Sequence, residues 1–300
     1  MGLLEFGMSA LWGVAAALAV AYLALVAKDV TYVTLADGRK QERSIPFLFK
    51  LLLPFAGNFE SLVSSGALAD KAEAAGKRLT SAGYEGLISG REFMALRFLV
   101  PIVAGAAWCV LMFLASGAMP FPELAPMLAV LGVALFIVQP VVWLETMLKR
   151  RHAAIVKALP FVLDSLTLSV EAGLDFINAM QRNCNSRKMD PLNEELLRTV
   201  KEIQVGSSRK EALMNMASRV GEPNLKAVAF ALVQADELGV SIGAMLRIQS
   251  EEIRARRFDR AERLANVAPT KMLFPLMLFI FPAVFIVLLG PVLVQALKGM

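Results

Sequence analysis

The sequence predicts an all-α integral membrane protein with four transmembrane helices and a cytoplasmic six-helix bundle. Of its 300 residues, 57% are hydrophobic and only 19% are charged, whereas soluble domains are typically about 45–50% apolar and about 25% charged. The apolar residues are concentrated in blocks of roughly the 20 residues that cross a hydrocarbon core. The charged residues lie between these blocks, in stretches with helical periodicity.

The predicted transmembrane helices are the four longest apolar blocks of the chain. They occupy residues 1–27, 97–118, 124–144 and 272–297. Apart from Glu5 and Arg97, these blocks contain no Asp, Glu, Lys, Arg or His. A cleaved signal peptide is the alternative interpretation of the first block, but a signal peptide normally carries Lys or Arg before its apolar core. We therefore expect an uncleaved first helix.

The distribution of positive charge predicts the topology. Residues 28–96 contain nine Lys and Arg, and residues 145–271 contain twenty. Because positively charged loops stay in the cytoplasm, both stretches are expected to be cytoplasmic, with the two termini on the opposite side. Within the first stretch, residues 45–66 predict an amphipathic segment lying on the cytoplasmic leaflet. Residues 68–82 predict a short helix that ends at a glycine.

The central stretch, residues 149–271, predicts six helices because start and stop signals divide it at regular intervals. The expected helices cover residues 156–172, 175–183, 191–206, 208–221, 223–238 and 241–267. Gly173, Gly206 and Gly239 are predicted to end helices, since glycine accepts the left-handed conformation found there. Short connections favour antiparallel neighbours and therefore a compact bundle.

The sequence contains no recognisable catalytic, nucleotide-binding, metal-binding or cofactor-binding motif. Its one histidine, His152, follows an apolar block and is expected to be solvated at the level of the lipid headgroups. Gly76-Lys77 lacks the flanking residues of a phosphate-binding loop. Interspersed charges argue against nucleic-acid binding. We therefore expect no enzyme, although an active site built from carboxylates and basic residues of the central stretch stays an alternative.

The transmembrane blocks also bear on function. Ion and proton pathways usually need ionisable side chains within the membrane, and the apolar cores of these blocks have none. A channel or transporter is therefore the less favoured alternative. The expected functional surface is then the charged surface of the last predicted bundle helix, between Glu251 and Arg263. This surface is either a docking site for a cytoplasmic partner or a solvated helix supported by pairs such as Glu252 and Arg256.

Several short motifs, in their order and spacing, resemble the type II secretion F-domain family. They are Leu159-Pro160 with Asp164, Glu171-Ala172-Gly173-Leu174, Gly206-Ser207-Ser208-Arg209, Gln234-Ala235-Asp236-Glu237, and the arginine series that precedes Lys271 and Pro275. The likeness covers residues 155–291. It is strongest to TadC-like platform proteins of the Tad (Flp) pilus machine.

The resemblance implies a non-catalytic platform in the bacterial inner membrane, without a cofactor. The implied partners are a hexameric TadA-like secretion ATPase in the cytoplasm, a TadB-like sister platform or further copies of this chain, pilin and the lipid bilayer. Such a platform would couple the ATPase to the insertion or extraction of pilin. The residues expected to dock partners are Arg209, Glu237, Arg254, Arg256, Arg257, Arg260 and Glu262.

Overall fold

The computed structural model describes residues 32–34, 40–43, 45–57, 67–116 and 125–298. The first predicted transmembrane helix, residues 1–27, lies outside the described residues, as do residues 117–124 around the connection between the second and third predicted transmembrane helices. Three described helices are long and apolar enough to cross a membrane. The predicted number of four is therefore not confirmed.

The described part of the chain is mainly helical. Its elements, in chain order, are β1 (Tyr32–Thr34), β2 (Lys40–Glu42), α1 (Phe47–Ala56), α2 (Ala67–Ala82), α3 (Gly90–Ser116), α4 (Ala125–Glu171), α5 (Phe176–Ser186), α6 (Pro191–Gln204), α7 (Arg209–Val220), α8 (Pro223–Leu238) and α9 (Ile242–Lys298).

A small hairpin precedes the helices and departs from the all-α expectation. Strands β1 and β2 pair antiparallel, with Tyr32 opposite Glu42. The sequence between them contains Asp37-Gly38, a pair that favours tight hairpin turns. This signal, together with the β-branched Val33 and Thr34, could have predicted the hairpin.

Helices α4 and α9 each join a predicted transmembrane segment to the bundle without a break. The predicted helices have boundaries between residues 144 and 156 and between residues 267 and 272, because hydrophobicity changes there. The backbone nevertheless stays helical across both positions. Residues 145–155 contain neither glycine nor proline, so nothing in their chemistry ends a helix. A change in polarity marks a change of environment and not the end of a helix.

The first hydrophobic core lies within the bundle. It is built by the second half of α4, by α5 to α8 and by the start of α9. Its largest fully buried side chains include Ile155, Leu159, Leu163, Leu192 and Leu246. The core ends at Ile253, and every residue of α9 from 254 to 289 is exposed. The bundle thus consists of four whole helices and parts of two much longer ones.

A second core packs α1 and α2 against α3 and the middle of α4. Phe49, Leu79, Leu96 and Val100 are fully buried there, and the rings of Phe49 and Trp143 meet edge to face at 5.0 Å. Helix α1 covers the first part of the predicted amphipathic segment and packs one face on protein. Residues 58–66 of that segment lie outside the described residues. Its position on the membrane surface stays a prediction.

The turns at Gly173 and Gly239 lead to a prediction about backbone strain. Both residues adopt positive φ, 93° and 67°, and an added Cβ would meet nothing within 4 Å. Alanine at either position should therefore cost about 1 kcal/mol through the backbone alone. Thermal unfolding of the full chain measures this. Gly57 is the control because it has φ −58° and open space, so Gly57→Ala should be neutral. An equal loss in all three variants would contradict the prediction.

Cys184 on α5 provides a reporter for opening of the bundle core. Its side chain is buried in the first core, and burial raises the pKa of its thiol to about 11. At neutral pH it is therefore protonated and unreactive. In a Cys109→Ser variant, a maleimide should label Cys184 only when heating opens the core. Rapid labelling of the unheated protein would contradict the burial of α5.

Candidate functional site

One end of the bundle lies away from the apolar segments and forms a charged face. Arg247 near the start of α9 bonds Glu171 at the end of α4, with Nη2 to Oε1 at 2.7 Å. The apolar parts of α4 and α9 extend in the opposite direction from this contact. We call this end the distal face, formed by residues 171–175, 205–210 and 236–242.

The distal face contains two of the predicted docking residues. Arg209 bonds Asp175 with Nη2 to Oδ1 at 3.0 Å, and Glu237 accepts a hydrogen bond from Lys210 at 2.6 Å. This bond raises the pKa of Lys210. Two apolar side chains stand among these charges, Val205 at 89% and Leu238 at 77% exposure. The face therefore carries paired charges and two exposed apolar side chains.

The other predicted docking residues lie along α9, where the structure assigns three of them contacts within the chain. Arg254 bonds Asp164 on α4, and Arg257 donates to the Val156 carbonyl on the same helix. Arg256 pairs with Glu252, as the spacing predicted. Arg254 and Arg257 therefore hold α9 against α4.

Arg260 and Glu262 follow on the exposed part of α9. Arg254 begins this series twelve residues after the start of α9, or about 18 Å along the helix. The seven predicted residues therefore form two separate surfaces, one on the distal face and one nearer the apolar segment of α9.

A buried network of arginine and glutamate side chains, missed in the sequence analysis, lies between the two cores. Glu194 accepts hydrogen bonds from Arg43 and Arg151, each at 2.7 Å. Glu195 accepts from Arg151 at 2.9 Å and from Arg219 at 2.8 Å. Arg151, Glu194 and Glu195 are only 6%, 7% and 5% exposed. Charges in such an environment are tolerated only when they are paired.

The network connects four parts of the chain: the end of the hairpin, α4, α6 and α7. Glu194 and Glu195 lie in the first turns of α6. Glu195 follows Leu192 by three residues and precedes Thr199 by four, and all three are buried. An acidic residue on the apolar face of a helix was the signal that could have revealed a buried partner.

Further contacts join the second core to the bundle. Arg198 on α6 bonds Glu85 in the loop between α2 and α3, and this hydrogen bond lowers the pKa of the Glu85 carboxyl. Ser81 donates to the Arg219 carbonyl at 2.8 Å. The pairing of Glu85 is therefore present at neutral pH and is lost as the pH falls through the lowered pKa.

His152 is bonded within the protein and is not solvated at the headgroup level as expected. Its Nε2 lies 2.9 Å from the Val220 carbonyl at the end of α7, and the side chain is half-buried. The difference arises because α4 continues past the apolar block and carries His152 into the bundle. Among the described residues, no group of three or more His, Cys, Asp or Glu side chains could hold a metal ion.

These features define a class of protein: a helical domain whose first and last helices continue into segments able to cross a membrane. Residues 162–290 match the family model described as Type II secretion system (T2SS), protein F. The match begins within α4, includes α5 to α8 and extends far along α9. Over these residues the chain is similar to T2SS protein F. No curated protein and no solved structure matches the chain.

Proposed function

We propose that this protein is a non-catalytic platform of a Tad or type IV-like pilus, or of a related secretion machine. In this role it couples a cytoplasmic secretion ATPase to the insertion or extraction of pilin in the bacterial inner membrane. The observation that carries the proposal is the match of residues 162–290 to T2SS protein F. The TadC-like resemblance of the motifs supports the narrower assignment to a pilus machine.

The continuity of α4 and α9 suits a mechanical role. Helix α9 has 57 residues and is therefore about 85 Å long. Four side-chain contacts hold its start against α4. They are Arg247 with Glu171, Ser250 and Arg254 with Asp164, and Arg257 with the Val156 carbonyl. A displacement of the bundle would reach the apolar segments through helix alone, without a flexible loop.

The distal face is the surface we assign to the ATPase. It is the part of the bundle farthest from the apolar segments, and the excess of Lys and Arg in residues 145–271 supports a cytoplasmic bundle. Val205 and Leu238 supply exposed apolar anchors, and Arg209 and Glu237 supply charges around them. The exposed apolar part of α9 faces lipid, a sister platform, a further copy of the chain or pilin.

Copurification from native membranes tests the proposal. The tagged full-length protein should recover its secretion ATPase and a sister platform. Val205→Asp with Leu238→Asp should abolish recovery of the ATPase, because a buried carboxylate without a partner opposes binding. Phe230→Asp is the matched control, since Phe230 is also exposed but lies in the middle of α8. A strictly monomeric protein that recovers neither partner, or one that supports ion flux in vesicles, would overturn the proposal.

A further inference from the structure

We propose that a groove beside α9 binds an acidic segment of a partner protein. The groove has a volume of about 320 Å³ and lies between α4, the start of α8 and α9. We call it the arginine groove, and its polar lining consists of Asn224, Arg256, Arg257, Asp259, Arg260 and Arg263. This inference rests on the proposed function, in which the bundle binds protein partners.

Two of the arginines that line the groove, Arg256 and Arg257, make contacts within the chain. Arg257 bonds the Val156 carbonyl, and Arg256 pairs with Glu252 and approaches Asn224 Oδ1 at 3.4 Å. These contacts hold α9 against α4 and α8.

Arg260 and Arg263 continue the same face of α9, four and seven residues after Arg256, and both are exposed. The lining has four arginines and one aspartate, and Glu252 offsets one further charge. A net positive charge of two therefore remains for a ligand.

The depth of the groove favours a protein over a lipid headgroup. Arg260 precedes Met272, the first residue of the apolar block, by twelve residues, and Val156 follows Leu144 by twelve. Arg263, the lining residue nearest the apolar block, precedes Met272 by nine residues. The groove lining therefore begins about 14 Å from the hydrocarbon core and extends to about 18 Å. The headgroup layer is only about 5–8 Å thick on each side. The groove therefore lies in water beyond the layer of lipid phosphates. In that position, the anions that complement its arginines are carboxylates of a protein.

The spacing of the arginines indicates the form of the acidic segment. Arg256 and Arg260 are one helical turn apart, or about 6 Å along the axis. Two glutamates four residues apart on a partner helix have the same separation. Arginine binds carboxylates through two parallel hydrogen bonds, which makes such a pairing specific.

Fluorescence anisotropy with a defined probe tests the inference. The full-length protein is placed in nanodiscs of neutral phosphatidylcholine, and the probe is a fluorescein-labelled alanine-based helix with glutamates at i and i+4. Arg260→Glu with Arg263→Glu should weaken binding about tenfold or more, since like charges then face each other. Arg182→Glu with Lys188→Glu is the matched control, because both residues are exposed and the net charge changes equally. This control should bind as the wild type does.

Other results would overturn the inference. Equal binding by the groove variant and the wild type would exclude the groove, and equal loss in both variants would indicate bulk charge alone. Displacement of the probe when phosphatidylglycerol is added to the nanodiscs would identify a lipid site instead. Unchanged Cys184 labelling shows that each variant is folded. ATPase recovery by the wild type tests the proposed function separately, so its failure is distinguishable from failure at the groove.

Discussion

Replacing Glu195 with glutamine should lower the thermal unfolding midpoint of the bundle by roughly 6–20 °C. Glu195 accepts hydrogen bonds from Arg151 and Arg219 in a nearly water-free environment. Glutamine has a similar shape but no charge, so both guanidinium groups lose a counter-charge that burial makes necessary. Breaking a buried ion pair on one side typically costs about 3–5 kcal/mol.

The temperature at which a maleimide begins to label Cys184 in the Cys109→Ser background measures this effect. Glu171→Gln is the control because it removes an ion pair with Arg247 whose side chains are 40% and 59% exposed. Exposed pairs contribute only about 0–1 kcal/mol, so this variant should unfold close to the wild type. Equal midpoints for the two glutamine variants would show that the buried network does not stabilise the bundle.

A second variant separates loss of charge balance from loss of packing. Glu195→Leu combined with Arg219→Met removes one charge of each sign and keeps apolar volume. Replacing a buried ion pair by apolar residues of similar volume often leaves the free energy of unfolding unchanged. The double variant should therefore unfold at a higher temperature than Glu195→Gln, although it differs more from the native sequence.

The ends of the helices were largely predictable because their signals are local. The predicted helices begin at residues 175, 191 and 208, and α5, α6 and α7 begin within one residue of these positions. Asp175, Asp190 and Ser208 precede them, and each accepts a hydrogen bond from a backbone N–H two or three residues later. Ser208 and Glu211 form a capping box. Such contacts involve only near neighbours along the chain, so the residues that make them can be found in the sequence.

The candidate sites were only partly predictable because they depend on contacts between distant residues. Arg151 and Glu194 are 43 residues apart, and Arg43 and Glu194 are 151 apart. No local pattern pairs them. No local pattern reveals the contacts of Arg254 and Arg257 either, and both were predicted to dock a partner. Their bonds to Asp164 and Val156 span 90 and 101 residues, and these bonds leave Arg260 and Arg263 as the better candidates for a partner.

Replacing Gly83 with alanine should destabilise the protein by about 3 kcal/mol or more. Gly83 follows α2 with φ 84°, so alanine is strained by the backbone as it is at Gly173. At Gly83, however, an added Cβ would lie 2.2 Å from Nη1 and 2.7 Å from Cζ of Arg151. The guanidinium would have to leave its position between Glu194 and Glu195. The loss of unfolding free energy in Gly83→Ala, minus the loss in Gly173→Ala, therefore measures how strongly the buried network holds the Arg151 guanidinium in place.

A double-mutant cycle with Arg151→Ala isolates this coupling. Without the guanidinium, the new methyl group has space, so Gly83→Ala should then cost only the backbone strain of about 1 kcal/mol. The destabilisation by Gly83→Ala in the wild type, minus that in the Arg151→Ala background, is the coupling free energy between the α2–α3 turn and the buried network. Equal costs in both backgrounds would show that Gly83 is required for its backbone conformation alone. The close approach to Arg151 would then play no part in joining the two cores.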